Sequence, residues 1–234
     1  MLTGAGISTD SGIRDFRGPN GVWTLDPEAE KLFTIQNYLA DAAVRRRSWL
    51  ARRENPAWGA EPNAGHRALV DLEESGALRA VVTQNIDRLH QKAGSSPDRV
   101  IEIHGNMVDA VCWECGAGSL TQDALARLDA GEDDPACLDC GGILKTATIM
   151  FGQNLDPDVL NDAALAARDC DVFVAVGTTL QVHPAAGLCD VAVRNGAELI
   201  IVNRDPTPYD GMATRVIRTP ISEALPALVA DLTT

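Results

Sequence analysis

Four of the six cysteines in this 234-residue chain fall into two C-x-x-C pairs. Cys112 and Cys115 form the first pair, Cys137 and Cys140 form the second, and 21 residues lie between them. In such a pair two thiolates converge on one ion, and two pairs complete a tetrahedral zinc site. Four thiolates leave no open position for water or substrate. The pattern therefore predicts one structural Zn²⁺ ion rather than a catalytic one.

A glycine-rich stretch lies near the first residue. Gly4-Ala5-Gly6 is followed by Ser8, Ser11 and Gly12. Small residues let backbone N–H groups approach a pyrophosphate, and a helix that begins near Ser8 would direct its positive end towards it. The third glycine of the dinucleotide-binding fingerprint is missing, because Thr9 stands in its place. By itself the stretch is equally compatible with a plain tight turn and with a nucleotide site.

Polar residues also follow the predicted strands. The sequence Thr-Gln-Asn-Ile-Asp at 83–87 comes directly after a Val-Val run, and Gly-Thr-Thr at 177–179 comes after the apolar run 172–176. Asn203 follows a further apolar run. Ligands of open parallel sheets bind at the carboxyl ends of the strands. Together with the glycine-rich stretch, these strand ends predict one shared nucleotide-binding crevice.

His104 is the most suggestive of the four histidines. It ends the alternating stretch Ile-Glu-Ile-His, just before the first cysteine pair. As a general base it would have to reach a substrate or ribose hydroxyl, and an ordinary pKa of about 6.5 suits that task. The residues alone favour the other interpretation, in which His104 fixes a loop by hydrogen bonds. We interpret His66, His90 and His183 as structural residues.

Apolar runs and helical patterns alternate along the chain. The runs at 80–83, 172–176 and 199–202 are rich in β-branched residues and predict buried strands of a parallel sheet. Helices are predicted over 63–75, over 156–168 with Asp156 as N-cap, and over 184–194. This alternation predicts a doubly wound α/β fold. Residues 112–140 interrupt it as a small metal-held insertion, and residues 20–60 read as helices and loops that form a lid.

Composition excludes several classes of function. A formal charge of −13 repels phosphate backbones and anionic lipids, which argues against nucleic-acid or membrane binding by bulk charge. The sequence contains no run of eighteen apolar residues and no secretory signal pattern, so we predict neither a membrane span nor secretion. Cysteines arranged for metal binding indicate a reducing compartment, and the predicted location is cytoplasmic.

In combination these motifs resemble the sirtuins of bacterial type, which are NAD-dependent protein lysine deacylases. The resemblance runs from residue 2 to about residue 230. It rests on Gly4-Ala5-Gly6-Ile7-Ser8, Ser11-Gly12-Ile13, Asp15-Phe16-Arg17, Thr83-Gln84-Asn85-Ile86-Asp87, Leu89-His90, His104-Gly105, the cysteine pairs, Phe151-Gly152, Gly177-Thr178-Thr179-Leu180 and Asn203.

The resemblance implies a Rossmann-type doubly wound parallel sheet with a small zinc-binding domain inserted. The implied boundaries are 1–30, 60–110 and 145–234 for the NAD-binding domain, 31–59 for the helical lid and 111–144 for the zinc module. NAD and acyl-lysine would enter the cleft between the two domains from opposite sides. We expect acyl-lysine proteins or peptides as partners, no nucleic acid or membrane partner, and a monomer.

The resemblance also assigns roles to individual residues. It implies that NAD phosphates and the nicotinamide ribose contact Gly4, Ala5, Gly6, Asp15, Phe16 and Arg17. The nicotinamide pocket would consist of Gln84, Asn85 and Asp87, and the adenosine half would contact Gly177, Thr178, Thr179 and Asn203. Further NAD contacts are expected at Ile7, Trp23, Ile86, Arg204 and Asp205. Ile149, Phe151, Gly152 and Gln153 would line the acyl-lysine channel and pair with the peptide backbone as an added strand.

His104 and Asn85 are the implied catalytic residues. In the reaction that the resemblance implies, the acyl oxygen attacks C1′ of the nicotinamide ribose and expels nicotinamide. His104, as general base, then activates a ribose hydroxyl, and the products are free lysine and 2′-O-acyl-ADP-ribose. This role for His104 replaces the loop-fixing interpretation that the residues alone favour.

Several positions depart from the family pattern. Arg14 stands where Pro is usual, Arg88 where Gly is usual, and Gln153 where Glu is usual. Because Gln153 lacks the negative charge of the usual glutamate, we expect a weaker preference for basic peptides. Sirtuins that remove acidic acyl groups carry Tyr-x-x-Arg in the lid helix, and Trp49-x-x-Arg52 aligns there. Because that tyrosine is missing, we expect neutral acyl groups as substrates, acetyl first.

Two alternatives to deacetylation remain open at the level of sequence. One is protein mono-ADP-ribosyl transfer, and the other is a non-catalytic module that binds NAD or ADP-ribose. The presence of both His104 and Asn85 argues against the second.

The strand before the glycine-rich stretch contains only Met1-Leu2-Thr3. In the family that strand is longer and central in the sheet, and shortening it would leave neighbouring N–H and C=O groups unpaired. We therefore expect the natural start to lie upstream of Met1.

Overall fold

The structure, a computed structural model, describes residues 1–16, 18, 21–26 and 31–233. Arg17 lies outside this described part, as does the side chain of Trp23. Its strands are β1 Leu2–Thr3, β2 Val81–Thr83, β3 Val100–Glu102, β4 Gly105–Cys112, β5 Gly118–Leu120, β6 Leu144–Thr148, β7 Val172–Val176, β8 Glu198–Val202 and β9 Arg215–Ile217. Its α-helices are α1 Val22–Leu25, α2 Ile35–Ala40, α3 Ala42–Arg53, α4 Ala64–Glu74, α5 Leu89–Ala93, α6 Thr121–Asp129, α7 Pro157–Arg168, α8 Leu188–Arg194 and α9 Ile221–Leu232.

Six of the strands form one parallel sheet in the order β3-β2-β1-β7-β8-β9. The short β1 is central, because Leu2 and Thr3 pair with β2 on one side and with β7 on the other. This confirms the predicted doubly wound α/β fold and the predicted position of the first strand. The carboxyl ends of β1, β2, β7 and β8 therefore lie along one edge of the sheet, where ligands of such folds bind.

The sheet is covered by helices on both faces. On β7, Phe173 and Ala175 belong to the apolar cluster that contains α7 and α8, whereas Val174 and Val176 belong to the cluster that contains α4 and α9. Successive side chains of a strand point to opposite faces, so a continuous apolar run is what a strand buried on both sides requires. Among the described residues, no helix is both long and apolar enough to cross a membrane.

The predicted helices agree with the structure at two of three positions. Asn63 caps α4 through its side chain, and Asp156 caps α7, which has Pro157 at its first position. The third helix, predicted as continuous over 184–194, begins instead with a 3-10 turn at Ala185–Gly187 before α8.

A second, antiparallel sheet has the order β5-β4-β6. It extends beyond the predicted zinc module at 111–144, because β4 begins at Gly105 and β6 ends at Thr148. The module also contains helix α6, which begins directly after β5. The module thus contains a strand-paired core in addition to its cysteine loops.

Helix α3 packs against the antiparallel sheet and α6. Trp49 of α3 is buried in a cluster with residues of β4, α6 and β6. Three ion pairs also connect α3 to the end of α6 and the segment after it: Arg45–Asp134 at 2.8 Å, Arg46–Asp133 at 2.7 Å and Arg53–Asp129 at 3.1 Å. The pairs of Arg46 and Arg53 are exposed and contribute little individually. Burial of the Trp49 side chain therefore stabilises this contact more than either of them does.

Candidate active site

The glycine-rich loop packs directly on the loop that follows β7. The Gly4 N–H donates to the Val176 carbonyl at 3.0 Å, and the Gly6 N–H donates to the Gly177 carbonyl at 2.8 Å. A Cβ at Gly4 would lie 2.8 Å from the Gly177 oxygen, and one at Gly6 would lie 2.7 Å from the Gly177 Cα. The two glycines are therefore required by this close approach of backbones, and their N–H groups are already engaged by protein carbonyls.

A 3-10 helix, Ala5–Ser11, follows this contact and ends at Gly12 in the left-handed conformation (φ 85°). The sequence predicted a helix beginning nearer Ser8. Ile7, predicted as an NAD contact, is 1% exposed and packs in the apolar core with α4 and α9. Its side chain does not line the cavity described below, so an NAD contact at Ile7 would have to involve its backbone.

The segment after β2 lies against this loop. Asn85 is 9% exposed, and its side-chain Nδ2 donates to the Gly4 carbonyl and to Ser8 Oγ, each at 3.1 Å. Ser8 Oγ in turn donates to Asp87 Oδ2 at 2.7 Å. Burial raises the pKa of Asp87, while hydrogen bonds from the Leu89 N–H and from Ser8 oppose that shift. The predicted polar strand ends of β1 and β2 are thus connected by hydrogen bonds.

His104 lies at the end of the segment that follows β3. Its Nδ1 is 3.0 Å from the carbonyl oxygen of Gln84. A carbonyl can only accept, so in the neutral ring the proton is on Nδ1 and Nε2 is left with its lone pair. Burial lowers the pKa of His104, and the bond to Gln84 partly opposes this. The geometry thus favours a neutral imidazole that can accept a proton at Nε2.

The ends of β7 and β8 contribute a third group of polar residues. Gln84 Nε2 donates to Thr178 Oγ1 at 3.0 Å, which connects this group to the segment after β2. Asn203 Nδ2 donates to the Asp205 carbonyl at 2.8 Å. Arg218 Nη1 donates to the Asn203 carbonyl at 2.6 Å and to the Asp205 carbonyl at 2.8 Å. Arg218 was missed in the sequence, because a single arginine after a short edge strand carries no recognisable pattern.

The segment after β6 borders the site on the side of the antiparallel sheet. The Ile149 N–H donates to the His104 carbonyl at 2.8 Å, which ties this segment to His104. Phe151 pairs through its backbone with residues 33 and 35, where its N–H donates to the Phe33 carbonyl at 2.7 Å. Gly152 has φ 81°, and Gln153 Oε1 accepts a hydrogen bond from the Met150 N–H at 3.3 Å.

These segments surround one cavity of about 1440 Å³. Gly4, Ala5 and Gly6 line it at the first strand end, and His104 lies among the lining residues. The other predicted site residues that line it are Asp15, Phe16, Gln84, Asn85, Ile86, Asp87, Ile149, Phe151, Gly152, Gln153, Gly177, Thr178, Thr179, Asn203, Arg204 and Asp205. Arg17 and the Trp23 side chain, also predicted, lie outside the described residues. The structure therefore brings the parallel-sheet residues and the 149–153 segment to a single space.

Two cations that line this cavity were not predicted as site residues. Arg52 lines the cavity and donates to Thr146 Oγ1 at 3.3 Å. Lys145 is 2% exposed, and its Nζ donates to the carbonyls of Thr146 and Thr148. Burial lowers the pKa of Arg52 to about 10 and that of Lys145 to about 8, and for Lys145 the charge of Arg52 adds to this. Among the described residues neither cation forms an ion pair.

The four paired cysteines converge at the tip of the small module. Sγ of Cys112 and Cys140 are 3.5 Å apart, Sγ of Cys115 and Cys137 are 3.7 Å apart, and all four sulfurs lie within 4.8 Å of one another. Zinc bound tetrahedrally at about 2.3 Å separates its sulfur ligands by about 3.8 Å. The four cysteines are therefore positioned to bind a structural zinc ion, as the spacing predicted.

Comparison with known proteins agrees with this architecture. A model of the Sir2 family matches residues 4–184. The chain is 61% identical over 232 residues to "NAD-dependent protein deacetylase 2" of Streptomyces coelicolor, covering 99% of this chain and 96% of the relative. It is 44% identical over 232 residues to "NAD-dependent protein deacetylase 1" of Pyrobaculum aerophilum, covering 99% of this chain and 88% of the relative.

Solved structures show the same likeness. A Sir2 variant with a deacetylated p53 peptide and 3′-O-acetyl ADP ribose superposes with a TM-score of 0.89 at 38% identity, covering 98% of this chain and 91% of that one. Sir2 with a p53 peptide and NAD⁺ superposes with a TM-score of 0.86 at 37% identity, with the same coverage. The chain belongs to the Sir2 family, the sirtuins.

Proposed function

We propose that this chain is an NAD-dependent protein lysine deacetylase that releases nicotinamide and 2′-O-acetyl-ADP-ribose. The observation that carries the proposal is the single cavity in which the carboxyl-end residues of the parallel sheet, His104 and the 149–153 segment meet. Family membership and the deacetylase relatives support the same activity.

The cavity suits NAD in size and in the chemistry of its lining. Ligand cavities commonly measure about 300–1,000 Å³, and this one is larger, so it has room for a dinucleotide together with an acyl-lysine side chain. Hydroxyl, amide and backbone groups lie along the edge of the parallel sheet, where phosphates and riboses find hydrogen-bond partners. Bound NAD supplies the reactive C1′ of its nicotinamide ribose. We assign the nicotinamide end to Gln84, Asn85 and Asp87, and the adenosine end to Gly177, Thr178 and Asn203.

Within this assignment, His104 is the general base. Its Nδ1–H is fixed by the Gln84 carbonyl, so Nε2 is the nitrogen that would take a proton from a ribose hydroxyl. The carbonyl also sets the orientation of the ring, as a second partner does for catalytic histidines generally. Because Ile149 bonds to the His104 backbone, the same short segment connects the base to the channel that we assign to acyl-lysine.

The test of this function uses NAD labelled in its adenine and an acetyl-lysine peptide. We expect the label to appear in O-acetyl-ADP-ribose, together with equal amounts of free nicotinamide and deacetylated peptide. Label that stays on protein would instead establish mono-ADP-ribosyl transfer. NAD binding without turnover would establish a non-catalytic module.

The residues near Trp49 and Arg52 bear on which acyl group is removed. Trp49 is buried in the core, so the position that carries tyrosine in sirtuins for acidic acyl groups offers no hydroxyl to the cavity. This supports acetyl as the preferred group. Arg52 and Lys145 border the cavity and form no ion pair with any described residue, which supports a second candidate, removal of acyl groups that end in a carboxylate.

The kinetics of two peptides that differ only in their acyl group distinguish these two candidates. We expect kcat/KM for an acetyl-lysine peptide to exceed that for the succinyl-lysine peptide of the same sequence. Faster removal of succinyl, lost in Arg52→Met, would contradict the neutral preference and assign the two cations to the acyl carboxylate.

We also propose a cytoplasmic location, which the arrangement of four cysteines for metal binding supports, because cysteines are used in this way in reducing compartments. We further propose that residues 31–59 form a helical lid. The contact of Trp49 with α6 supports a lid that is anchored to the zinc module through α3.

A further inference from the structure

A buried polar cluster lies beneath the segment that follows β2. His66, His90 and Ser95 are at most 3% exposed, and the two imidazole rings are 5.0 Å apart between centroids. His66 Nε2, His90 Nδ1 and Ser95 Oγ have no hydrogen-bond partner among the described residues. Burial lowers the pKa of His66 to about 4 and that of His90 to about 3, so both rings are neutral near pH 7. A buried polar group without a partner is costly, which calls for a reason.

A chain of hydrogen bonds leads from this cluster to Asn85. His90 Nε2 is 3.0 Å from Thr3 Oγ1, and Thr3 Oγ1 donates to Thr83 Oγ1 at 2.9 Å. The Asn85 backbone N–H donates to the same Thr83 oxygen at 3.1 Å. Thr3 has a single hydroxyl proton, which goes to Thr83, so Thr3 must accept from His90. His90 is therefore protonated on Nε2, and its orphan Nδ1 is a lone pair.

At the Asn85 end, this series of hydrogen bonds leaves one side-chain atom of Asn85 available to a ligand. Both hydrogens of its side-chain amide are used, one by the Gly4 carbonyl and one by Ser8 Oγ. The backbone N–H is used by Thr83. Among the side-chain atoms of Asn85, the amide oxygen is thus the one left to accept a hydrogen bond, and Asn85 lines the cavity.

We propose that His90, acting through Thr3 and Thr83, is a positioning residue that holds Asn85 for the nicotinamide end of NAD. The inference rests on the proposed function, in which Asn85 contacts that end. His90 touches neither substrate nor cofactor in this arrangement, and it acts by fixing the direction of each hydroxyl between itself and Asn85.

The test uses paired variants that differ in the hydrogen bond but little in shape. Thr3→Val removes the central hydroxyl and Thr3→Ser keeps it. His90→Leu removes the donor, whereas His90→Gln places an amide N–H near the position of Nε2. Ser95→Ala is the matched control, because it removes a buried hydroxyl of the same cluster that lies outside the chain of hydrogen bonds. Each variant is assayed for KM of NAD, KM of an acetyl-lysine peptide, nicotinamide exchange and NAD affinity by calorimetry.

We expect Thr3→Val and His90→Leu to raise the KM and Kd of NAD by about threefold to tenfold, the effect of one buried hydrogen bond. Nicotinamide exchange should fall in parallel while the peptide KM stays unchanged, and Thr3→Ser, His90→Gln and Ser95→Ala should resemble wild type. A merely structural role would lower the active fraction without this split between NAD and peptide. If His90→Leu does not fold, the comparison of Thr3→Val with Thr3→Ser distinguishes the positioning role from a structural one.

Wild-type NAD affinity in Thr3→Val would overturn the inference, as would equal losses for NAD and peptide that Thr3→Ser does not restore. If the wild-type chain shows no NAD-dependent deacetylation, the proposed function fails instead. The calorimetric comparison of Thr3→Val with Thr3→Ser then still decides whether the chain of hydrogen bonds positions an NAD-binding residue.

Discussion

At the scale of single residues, His104 is the group on which the proposed chemistry depends, because it borders the cavity and one of its ring nitrogens is held by the Gln84 carbonyl. Its place before the cysteine pairs made it a candidate base, but the residues alone favoured a loop-fixing histidine. The structure shows both features in one side chain, since Nδ1 bonds to the Gln84 carbonyl while the ring lines the cavity. Which ring nitrogen is available depends on a contact 20 residues away along the chain, and no local pattern contains that contact.

The tautomer and burial of His104 predict the pH dependence of activity. Because burial lowers the pKa of His104, the acid limb of kcat/KM should lie below the ordinary imidazole value of about 6.5. The base is active when neutral, so activity should fall as pH falls through that pKa and stay level above it. The measurement is kcat/KM for an acetyl-lysine peptide across acidic and neutral pH.

The residual rate of His104→Ala serves as the control for this profile, since it should show no such acid limb. A limb centred well above the ordinary imidazole value would contradict a neutral, buried base.

Gly4 and Gly6 were identified from the sequence, but the reason for these glycines was not. The sequence identified the right loop, and it explained the glycines by the approach of a phosphate. The structure explains them by the approach of Gly177, which a Cβ at either position would obstruct. The partner is about 170 residues away along the chain, so this reason could not be read from the loop itself.

At the scale of elements, the long and strongly patterned segments were predictable. The strands at 172–176 and 199–202 and the capped helices α4 and α7 follow from apolar runs and N-cap residues. The antiparallel sheet was not predicted, because β5 is short and exposed and is defined by its pairing with β4. The 3-10 turn at 185–187 also escaped prediction, since apolar periodicity does not distinguish it from the first turn of an α-helix.

The zinc module supplies the prediction at this scale. Cys137→Ser should release the zinc ion and lower the melting temperature, because the two cysteine loops have no other covalent or metal link among the described residues. The measurements are zinc content by elemental analysis and thermal unfolding.

Cys170→Ser is the matched control, as Cys170 is half-buried and lies outside the cluster of four. It should retain one zinc ion per chain. Full zinc content in Cys137→Ser would refute the four-cysteine site.

At the scale of the whole molecule, the cavity joins elements from both sheets. The parallel sheet contributes its carboxyl edge, and the antiparallel sheet contributes the segment after β6. Motif order along the chain predicted that these residues belong to one site. It could not predict that Arg52 and Lys145 also border the cavity, because their placement depends on how α3 packs against β6.

The lowered pKa values of the buried His66 and His90 predict how the free energy of unfolding depends on pH. Their pKa values in the folded chain, about 4 for His66 and about 3 for His90, lie below the ordinary value of about 6.5. The unfolded chain therefore binds more protons below that value, so their contribution is complete above it and is lost as pH falls. Near pH 5 the loss is on the order of 2 kcal/mol per histidine.

Urea unfolding at neutral and mildly acidic pH measures this loss. The comparison is wild type against the double variant His66→Gln/His90→Gln, which should lose less stability on acidification because both imidazoles are absent. If the free energy of unfolding falls equally with pH in the two proteins, the histidines are not the cause of the loss of stability in acid.

The most direct test of the account is the product stoichiometry of wild type and His104→Ala with NAD and an acetyl-lysine peptide. We predict that wild type forms nicotinamide, deacetylated peptide and O-acetyl-ADP-ribose in equal amounts. His104→Ala should bind NAD and peptide normally but form the last two products at a rate lower by about 10²-fold or more. Wild-type rates of these two products in His104→Ala would contradict the account, as would nicotinamide release by the wild-type chain without deacetylated peptide.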